Sequence, residues 1–391
     1  MPPPTSYRIG SIDILRGIVM IVMALDHTRD FFHITAFTAD PLDAGTTTTA
    51  LYFTRWITHF CAPVFVMLSG VSAFLSSKNK PAGEASLFLI KRGIWLIIVE
   101  LVLITLGLTF NPLYNLLILQ VIWAIGLSMV ILGVLMRISY TAVLVVGIIL
   151  FFGHNALDYA SLPTKGVAYY LLTILFTTRT TIFPLGNNYF VYDLYAVLPW
   201  TGIMLLGYCL GSWFQKGFPA EKRKRLLLIT GSCAVLLFIV LRLLKGYGDP
   251  GVYSTDKNTL FSFLNTSKYP PSLQYSCMTL GPALIILALL ENVQAGWTRF
   301  ASIYGRVPFF YYVLHFYLIH SILLLLFFVS GYTASQIADP NTPFLFRPLN
   351  FGYGLGVVYL IWIGVIGILY FPCRWFNKYK MEHRKWWLSY L

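Results

Sequence analysis

Five ionisable side chains lie close together in the stretch 23-MALDHTRDFFH-33, directly after a long apolar run. They are Asp26, His27, Arg29, Asp30 and His33. A neutral imidazole can accept the proton of an attacking hydroxyl or amine, and a carboxylate one helical turn away can orient the ring. His27 and Asp30 have this spacing, and Asp26 and Arg29 form a second i,i+3 pair. The stretch therefore predicts either a general base at His27 or ion pairs that anchor a helix end.

A guanidinium lies on the same face of this helix, nearer to its start. Arg16 precedes His27 by eleven residues, which is about three helical turns with a drift of about 20°. The two side chains would then lie about 16 Å apart along the helix axis. Asp13 is three residues before Arg16, a spacing that favours an ion pair. One stripe of the helix thus carries a cation near one end and an imidazole near the other.

A second polar face is predicted in the next apolar segment. Tyr52, Arg55 and His59 follow one another at intervals of three and four residues, so a helix would place them on one side. The Arg55 guanidinium could bind a carboxylate or a phosphate. It could equally be an interfacial arginine whose long side chain extends to water. Pro63 and Gly70 further along predict a kink and a close helix contact.

Other candidates are more scattered along the chain. His315 and His320 are five residues apart, about 140° around a helix, which is a poor spacing for binding one metal ion. No metal is therefore expected, although at least one of the two rings should face a polar interior. Lys268 lies in 265-NTSKYPPSL-273, where two prolines predict a stiff, shaped loop or a simple turn. Glu100, in the middle of an apolar segment, predicts either a cavity wall or a structural hydrogen bond.

The elements that position these residues are membrane helices. The 391-residue chain is 57% hydrophobic and 11% charged, with a mean hydropathy of +0.71, more apolar than a soluble domain can bury. Apolar segments of about 20 residues cross a bilayer. They are predicted at 11–32, 50–76, 86–109, 114–136, 139–159, 190–214, 225–245, 272–291, 303–330 and 351–372. A shorter piece, 166–178, predicts an interfacial or re-entrant helix. The fold class is all-α, a single polytopic integral membrane domain over residues 1–391.

The basic loops predict the orientation of these helices. Lysines and arginines concentrate around 77–85, 215–225, 292–302 and the C-terminal tail, which share one side if ten helices cross the membrane. The positive-inside rule then places both termini in the cytoplasm. The net charge of +13 is explained in this way, because the basic residues do not form the patches of a nucleic-acid binder.

Three motifs in this order resemble transmembrane acyltransferases. They are 13-DILRGIVMIVMALDH-27, 65-FVMLSG-70 and 317-YLIH-320. The start, 8-RIGSIDILRGIVMIVM-23, is similar to the opening of the heparan-α-glucosaminide N-acetyltransferase family. Nearly the whole chain, including SKYPPSL, is similar to a bacterial branch of that group. Each motif alone is weak, but their order and spacing are specific.

The resemblance implies an acyl transfer across a membrane. Members of this superfamily move an acyl group from acyl-CoA, bound from the cytoplasm, onto a sugar on the far side, here across a bacterial inner membrane. Acetyl-CoA or another acyl-CoA is then the donor, a saccharide the acceptor and the lipid bilayer the third partner. The resemblance makes His27 the leading catalytic histidine, assisted by Asp26 and Asp30. Because the histidine of the heparan enzymes lies further along the chain, His33 and His59 stay as alternatives. The expected donor contacts are Arg16, Arg29, Arg55, Tyr52, Lys268, His315 and His320.

Two other classes of function remain open. Intramembrane aspartate, arginine and histidine also suit a transporter or proton-coupled exporter of a sugar or a lipid-linked substrate. Many transporters carry inverted repeats with matching broken helices, and the sequence has no such pair. A membrane scaffold would have less use for so many buried ionisable groups. The acyl chain, transfer to oxygen or nitrogen, and an acyl-enzyme or a direct reaction stay open, and the sequence is compatible with a homodimer.

Overall fold

Helices make up most of the molecule. The computed structural model describes residues 9–177, 181–249, 259–383 and 385–389. Its α-helices are α1 (Gly10–Phe32), α2 (Thr49–Thr58), α3 (Cys61–Ser77), α4 (Ala82–Val99), α5 (Thr105–Thr109), α6 (Val121–Ile138), α7 (Tyr140–Gly153), α8 (Gly166–Leu172), α9 (Val197–Leu210), α10 (Ala220–Leu243), α11 (Thr259–Leu264), α12 (Leu273–Leu289), α13 (Gly296–Arg306), α14 (Pro308–Val329) and α15 (Leu355–Glu382). Three short strands are β1 (Leu116–Leu119), β2 (Thr181–Gly186) and β3 (Tyr189–Asp193).

Seven helical segments in the described part of the chain are long and apolar enough to cross a membrane. They are Thr49–Ser77, Val121–Ile138, Tyr140–Tyr159, Val197–Phe214, Ala220–Leu243, Pro308–Val329 and Leu355–Glu382. The prediction of an all-α polytopic membrane protein is confirmed. The remaining three predicted spans are also helical, but α1 and α4 carry several charged side chains and α12 has only 17 residues. The short apolar piece is the helix Gly166–Thr177.

The predicted second span is interrupted in its first half, at His59 and Phe60. Helix α2 ends at Thr58 and α3 starts at Cys61, so the helix is interrupted just before Pro63, although His59 and Phe60 keep helical φ and ψ. Proline has no amide hydrogen, and its ring clashes with the carbonyl four residues earlier, which here belongs to His59. The Tyr275 hydroxyl of α12 donates to that carbonyl at 2.7 Å. The break therefore ties the start of α3 to α12.

A small sheet replaces parts of two predicted spans. Strand β1 pairs in parallel with β3, and β2 pairs antiparallel with β3. The hairpin turn contains Asn187 and Asn188, with φ of 49° and 63°, a conformation that asparagine tolerates well. The predicted spans 114–136 and 190–214 thus begin as strands and become helical only at Val121 and Val197.

The last residue of this sheet, Asp193, should make folding stability depend on pH. Asp193 is fully buried, and burial raises the pKa of its carboxyl to about 7, although the Tyr195 amide partly offsets this. The unfolded chain releases this proton near pH 4. Stability is therefore expected to fall by roughly 4 kcal/mol as the pH rises from about 4 to about 7. Asp193→Asn should remove most of this slope in thermal unfolding in detergent between pH 5 and 8. An unchanged slope, equal to that of the exposed control Asp40→Asn, would refute the assignment.

Helix α1 lies at the centre of the packing and contacts α2, α3, α12, α13, α14 and α15. Its closest neighbour is α13, because glycines let the two backbones touch. A Cβ atom on Gly17 would lie 1.8 Å from the Ala301 carbonyl oxygen, and one on Gly305 would lie 1.9 Å from that of Asp13. The close contact predicted at Gly70 is also found, where a Cβ would lie 2.2 Å from the Met204 oxygen of α9.

Candidate active site

A buried charge cluster joins α1 to α2. Arg55 donates through Nη1 to both Asp26 oxygens at 2.6 and 2.5 Å. Arg29 donates to Asp26 at 3.2 Å and to Asp30 at 2.5 Å. The predicted Asp26–Arg29 pair is confirmed. The Asp26 carboxylate thus holds two guanidinium groups beside His27, the next residue in the chain.

The His27 ring meets a second histidine instead of a carboxylate. Its Nδ1 lies 2.6 Å from His315 Nε2 on α14, and the ring stacks on Phe316 with centroids 4.5 Å apart. The other nitrogen of His315, Nδ1, lies 2.5 Å from the backbone carbonyl oxygen of Tyr312. Asp30, predicted to orient His27, is bonded to Arg29. His315 therefore occupies the place in which a carboxylate was expected.

This hydrogen-bond chain assigns the tautomers of both histidines. A carbonyl oxygen only accepts hydrogen bonds, so His315 Nδ1 must carry a hydrogen. In the neutral ring, His315 Nε2 is then an acceptor, and His27 Nδ1 must be the donor. The remaining nitrogen, His27 Nε2, is left with its lone pair. His27 is also only partly buried, whereas its neighbours Asp26 and Thr28 are buried.

The two alternative histidines have other surroundings. His33, just beyond α1, places Nδ1 3.0 Å from the Thr35 hydroxyl, and its backbone carbonyl accepts a bond from Arg347. His59 is buried at the break between α2 and α3, with its ring 5.5 Å from Tyr275. No hydrogen bond joins either ring to His27 within the described part of the chain. The pairing with His315 thus singles out His27 among the three.

Two of the expected donor contacts lie apart from this cluster. The Tyr52 hydroxyl donates to the Phe261 carbonyl, and the two rings stack 4.0 Å apart. His320 is fully buried, and its ring nitrogens lie 3.2 and 2.9 Å from the carbonyl oxygens of Gly107 and Leu345. Both side chains tie helices to neighbouring segments.

The loop before α12 adds a further buried cation near the charge cluster. Lys268 is buried, with its ammonium nitrogen 5.0 Å from the centre of the Tyr269 ring. Burial would raise the pKa of Tyr269, but the Lys268 and Arg55 cations hold it below its ordinary value. The Tyr269 ring also lies 5.3 Å from that of Tyr195. The sequence did not single out these tyrosines, because aromatic residues are common in membrane helices. The stretch 268-KYPP-271 was nevertheless a usable signal for Tyr269.

At the other end of α1, Arg16 shares Asp13 with Arg306, which lines a basic cavity. Its guanidinium donates to the Gly305 carbonyl at 3.1 Å and to the Ser72 hydroxyl at 2.7 Å, and it pairs with Asp13 at 3.6 Å as predicted. Arg306 lies 3.5 Å from the other Asp13 oxygen. Beyond it opens a cavity of 720 Å³. Its lining includes Arg299, Arg306, Arg374, Lys378, Phe371 and Trp375.

Comparison with known proteins identifies the family of the chain. The family model "Heparan-alpha-glucosaminide N-acetyltransferase, catalytic" matches residues 8–242. The chain belongs to this family. No curated protein matches the chain. A heparan-alpha-glucosaminide N-acetyltransferase catalytic domain in a helical membrane protein makes the chain a membrane acetyltransferase. The matched region contains His27 and Arg55, whereas His315 and the basic cavity lie beyond it.

In this member of the N-acetyltransferase family, loss of Arg55 should weaken both folding and activity. Arg55→Met leaves the buried Asp26 carboxylate without its two-oxygen contact, which we expect to cost about 3 kcal/mol of stability. Thermal unfolding in detergent measures this loss. Arg55→Lys, which keeps the charge without the planar fork, should lose less. The double variant Asp26→Leu/Arg55→Met should regain part of the stability, and a strictly additive double loss would contradict the pairing.

Proposed function

We propose that the protein transfers an acetyl or another short acyl group from cytoplasmic acyl-CoA to a saccharide on the opposite side of a bacterial inner membrane, with His27 as the base. One observation carries this proposal: the hydrogen bond between His27 Nδ1 and His315 Nε2, which leaves His27 Nε2 free to accept a proton. Both termini are then cytoplasmic, as the positive-inside rule requires.

The chemistry follows from the free lone pair. His27 Nε2 takes the proton of the acceptor hydroxyl or amine while that oxygen or nitrogen attacks the thioester carbonyl carbon. The negative charge that develops on the carbonyl oxygen needs a donor. The fully buried Tyr312 hydroxyl has no hydrogen-bond partner among the described residues, and its ring lies 6.4 Å from that of His27. Collapse of the intermediate breaks the carbon–sulfur bond, and the imidazolium returns its proton to the CoA thiolate.

The basic cavity lined by Arg306 suits the nucleotide part of CoA. CoA carries several phosphate charges, and arginine and lysine side chains attract and bind phosphate. Arg299, Arg306, Arg374 and Lys378 line this cavity, and Trp375 offers an aromatic face to the adenine. The cavity lies at the end of α1 that the positive-inside rule assigns to the cytoplasm. The extended pantetheine arm would then run along α1 from Arg16 toward His27.

A kinetic test separates donor binding from catalysis. In proteoliposomes with labelled acetyl-CoA and methyl α-glucosaminide on opposite sides, labelled acetyl-glucosaminide should form. The double variant Arg374→Ala/Lys378→Ala should raise KM for acetyl-CoA about tenfold, with KM for the glucosaminide unchanged. Arg225→Ala, an exposed basic residue outside the cavity, serves as the matched control. Glucosaminide flux without consumption of acetyl-CoA would refute the enzyme and favour a transporter.

A further inference from the structure

A long apolar slot runs between α7, α9, α10 and α12. Its volume is 470 Å³, and its walls include Leu144, Phe151, Leu206, Ala234, Leu237 and Leu280. On α7 the lining extends from Tyr140 to Phe152, about 18 Å at 1.5 Å per residue. That is more than half of the roughly 30 Å hydrocarbon core of a bilayer. The slot thus has the length and chemistry of a lipid chain.

A polar vestibule adjoins one end of this slot. Phe151 and Phe152 line the slot, and His154 and Asn155, within the next helical turn, line a second cavity of 220 Å³. Asn155 donates to Asp158 at 2.7 Å and accepts a bond from the Leu273 amide of α12. Asp158, Thr177 and Ser267 also face this cavity. The lining of the two cavities therefore changes from hydrocarbon to hydrogen-bonding groups along the interface of α7 and α12.

The vestibule borders the charge cluster through Tyr269. Tyr269 lines the vestibule, and the Lys268 ammonium nitrogen lies 5.0 Å from the centre of its ring, with the Arg55 cation also near its hydroxyl. Arg55 in turn binds Asp26, next to His27 in the chain. Slot, vestibule and charge cluster therefore neighbour one another, in the order apolar, polar, charged.

We propose that the acceptor is a lipid-linked saccharide, whose hydrocarbon chain occupies the slot and whose sugar enters the vestibule. This inference rests on the proposed function. An apolar cavity of this kind does not hold water. Inside a bilayer, the available group that can fill it is the hydrocarbon chain of a lipid. Moving from the bilayer into the slot gives the hydrocarbon chain of the lipid little hydrophobic gain, because both surroundings are apolar. The slot acts by holding the sugar beside Tyr269 at a high effective concentration.

Two acceptor probes and two tryptophan variants test this assignment in proteoliposomes. The probes are dodecyl and methyl α-glucosaminide, which share a sugar and differ in the alkyl chain. Ala234→Trp fills the slot from α10. Leu236→Trp on the same helix, at a position 61% exposed and outside the slot, is the matched control. Ala234→Trp should raise KM for the dodecyl probe at least tenfold and leave KM for the methyl probe unchanged, whereas Leu236→Trp should change neither. Partitioning of each probe into the membrane is the same for every variant, so it cancels when the KM values of the variants are compared.

Native mass spectrometry gives a readout that does not need catalysis. One dodecyl glucosaminide should stay bound to the wild-type chain and to Leu236→Trp, and none to Ala234→Trp. Binding that follows this pattern without acetyl transfer to either probe would refute the proposed function and leave the slot assignment standing. Acetyl transfer with equal KM for both probes in every variant would refute the lipid-linked acceptor and favour a soluble saccharide. Retention of a phospholipid that the dodecyl probe cannot displace would also overturn the assignment.

Discussion

His27→Ala is expected to lower kcat for acetyl transfer by about a thousandfold or more, with the protein still folded and inserted. General bases contribute about 10²–10⁴ to enzyme rates, and the hydrogen-bond chain through His315 leaves His27 Nε2 as the nitrogen that can take the proton. Turnover of labelled acetyl-CoA with methyl α-glucosaminide measures the loss. Size-exclusion chromatography and thermal unfolding show whether the fold is kept.

His33→Ala is the matched control for this variant. His33 lies six residues further along, and its ring bonds locally to Thr35, so we expect activity within about twofold of the wild type. Its backbone carbonyl, which Arg347 uses, is unchanged by the substitution. Full activity in His27→Ala together with a large loss in His33→Ala would transfer the catalytic role to His33.

His315→Phe is expected to lower kcat about a hundredfold and to leave KM for acetyl-CoA within about twofold. Phenylalanine keeps the ring volume but cannot accept the hydrogen of His27 Nδ1. The His27 ring can then adopt the tautomer in which Nε2 carries the hydrogen. Loss of tautomer control in other histidine bases costs up to about 10⁴ in kcat. His315 is thus a positioning residue that acts through His27.

His315→Gln separates positioning from packing. Its side-chain oxygen can accept the His27 hydrogen, so this variant should recover at least tenfold of the activity lost in His315→Phe. Thermal unfolding of both variants in detergent serves as the control for folding. A merely structural role predicts the reverse order, because glutamine fits a buried aromatic site less well than phenylalanine. Equal activity of the two variants would contradict the assigned tautomers.

Local spacing was enough to predict the contacts within α1. The Asp13–Arg16 and Asp26–Arg29 pairs follow from the i,i+3 rule and are present. The contact of Asp26 with Arg55 bridges two helices, and sequence spacing along one helix carries no information on how a second helix docks. The same holds for His27 and His315, which are 288 residues apart in the chain. The sequence suggested a polar interior for at least one of His315 and His320 but could not name a partner for either.

The strands were missed for a different reason. Residues 116–119, LLIL, form a short apolar run that could equally start a membrane helix, and periodicity alone cannot separate the two. Pairing with β3, more than 70 residues away, decides the outcome. Pro63 was a usable signal for the break in the second span. The partner of the freed His59 carbonyl, Tyr275, is again a tertiary contact.

A structure with a bound donor analogue would show whether His27 Nε2 faces the acyl group of a donor bound along α1. The ligand is a non-hydrolysable thioether analogue of acetyl-CoA, and the method is electron cryomicroscopy of the wild-type protein. A general base lies within about 3 Å of the acceptor atom, and in a reactive complex that atom lies about 3 Å from the acyl carbonyl carbon. The carbonyl carbon should therefore lie within about 6 Å of His27 Nε2. We expect this distance, with the nucleotide in the basic cavity beside Arg306. An acyl group next to His33 or His59, or a nucleotide bound at the opposite end of α1, would contradict it.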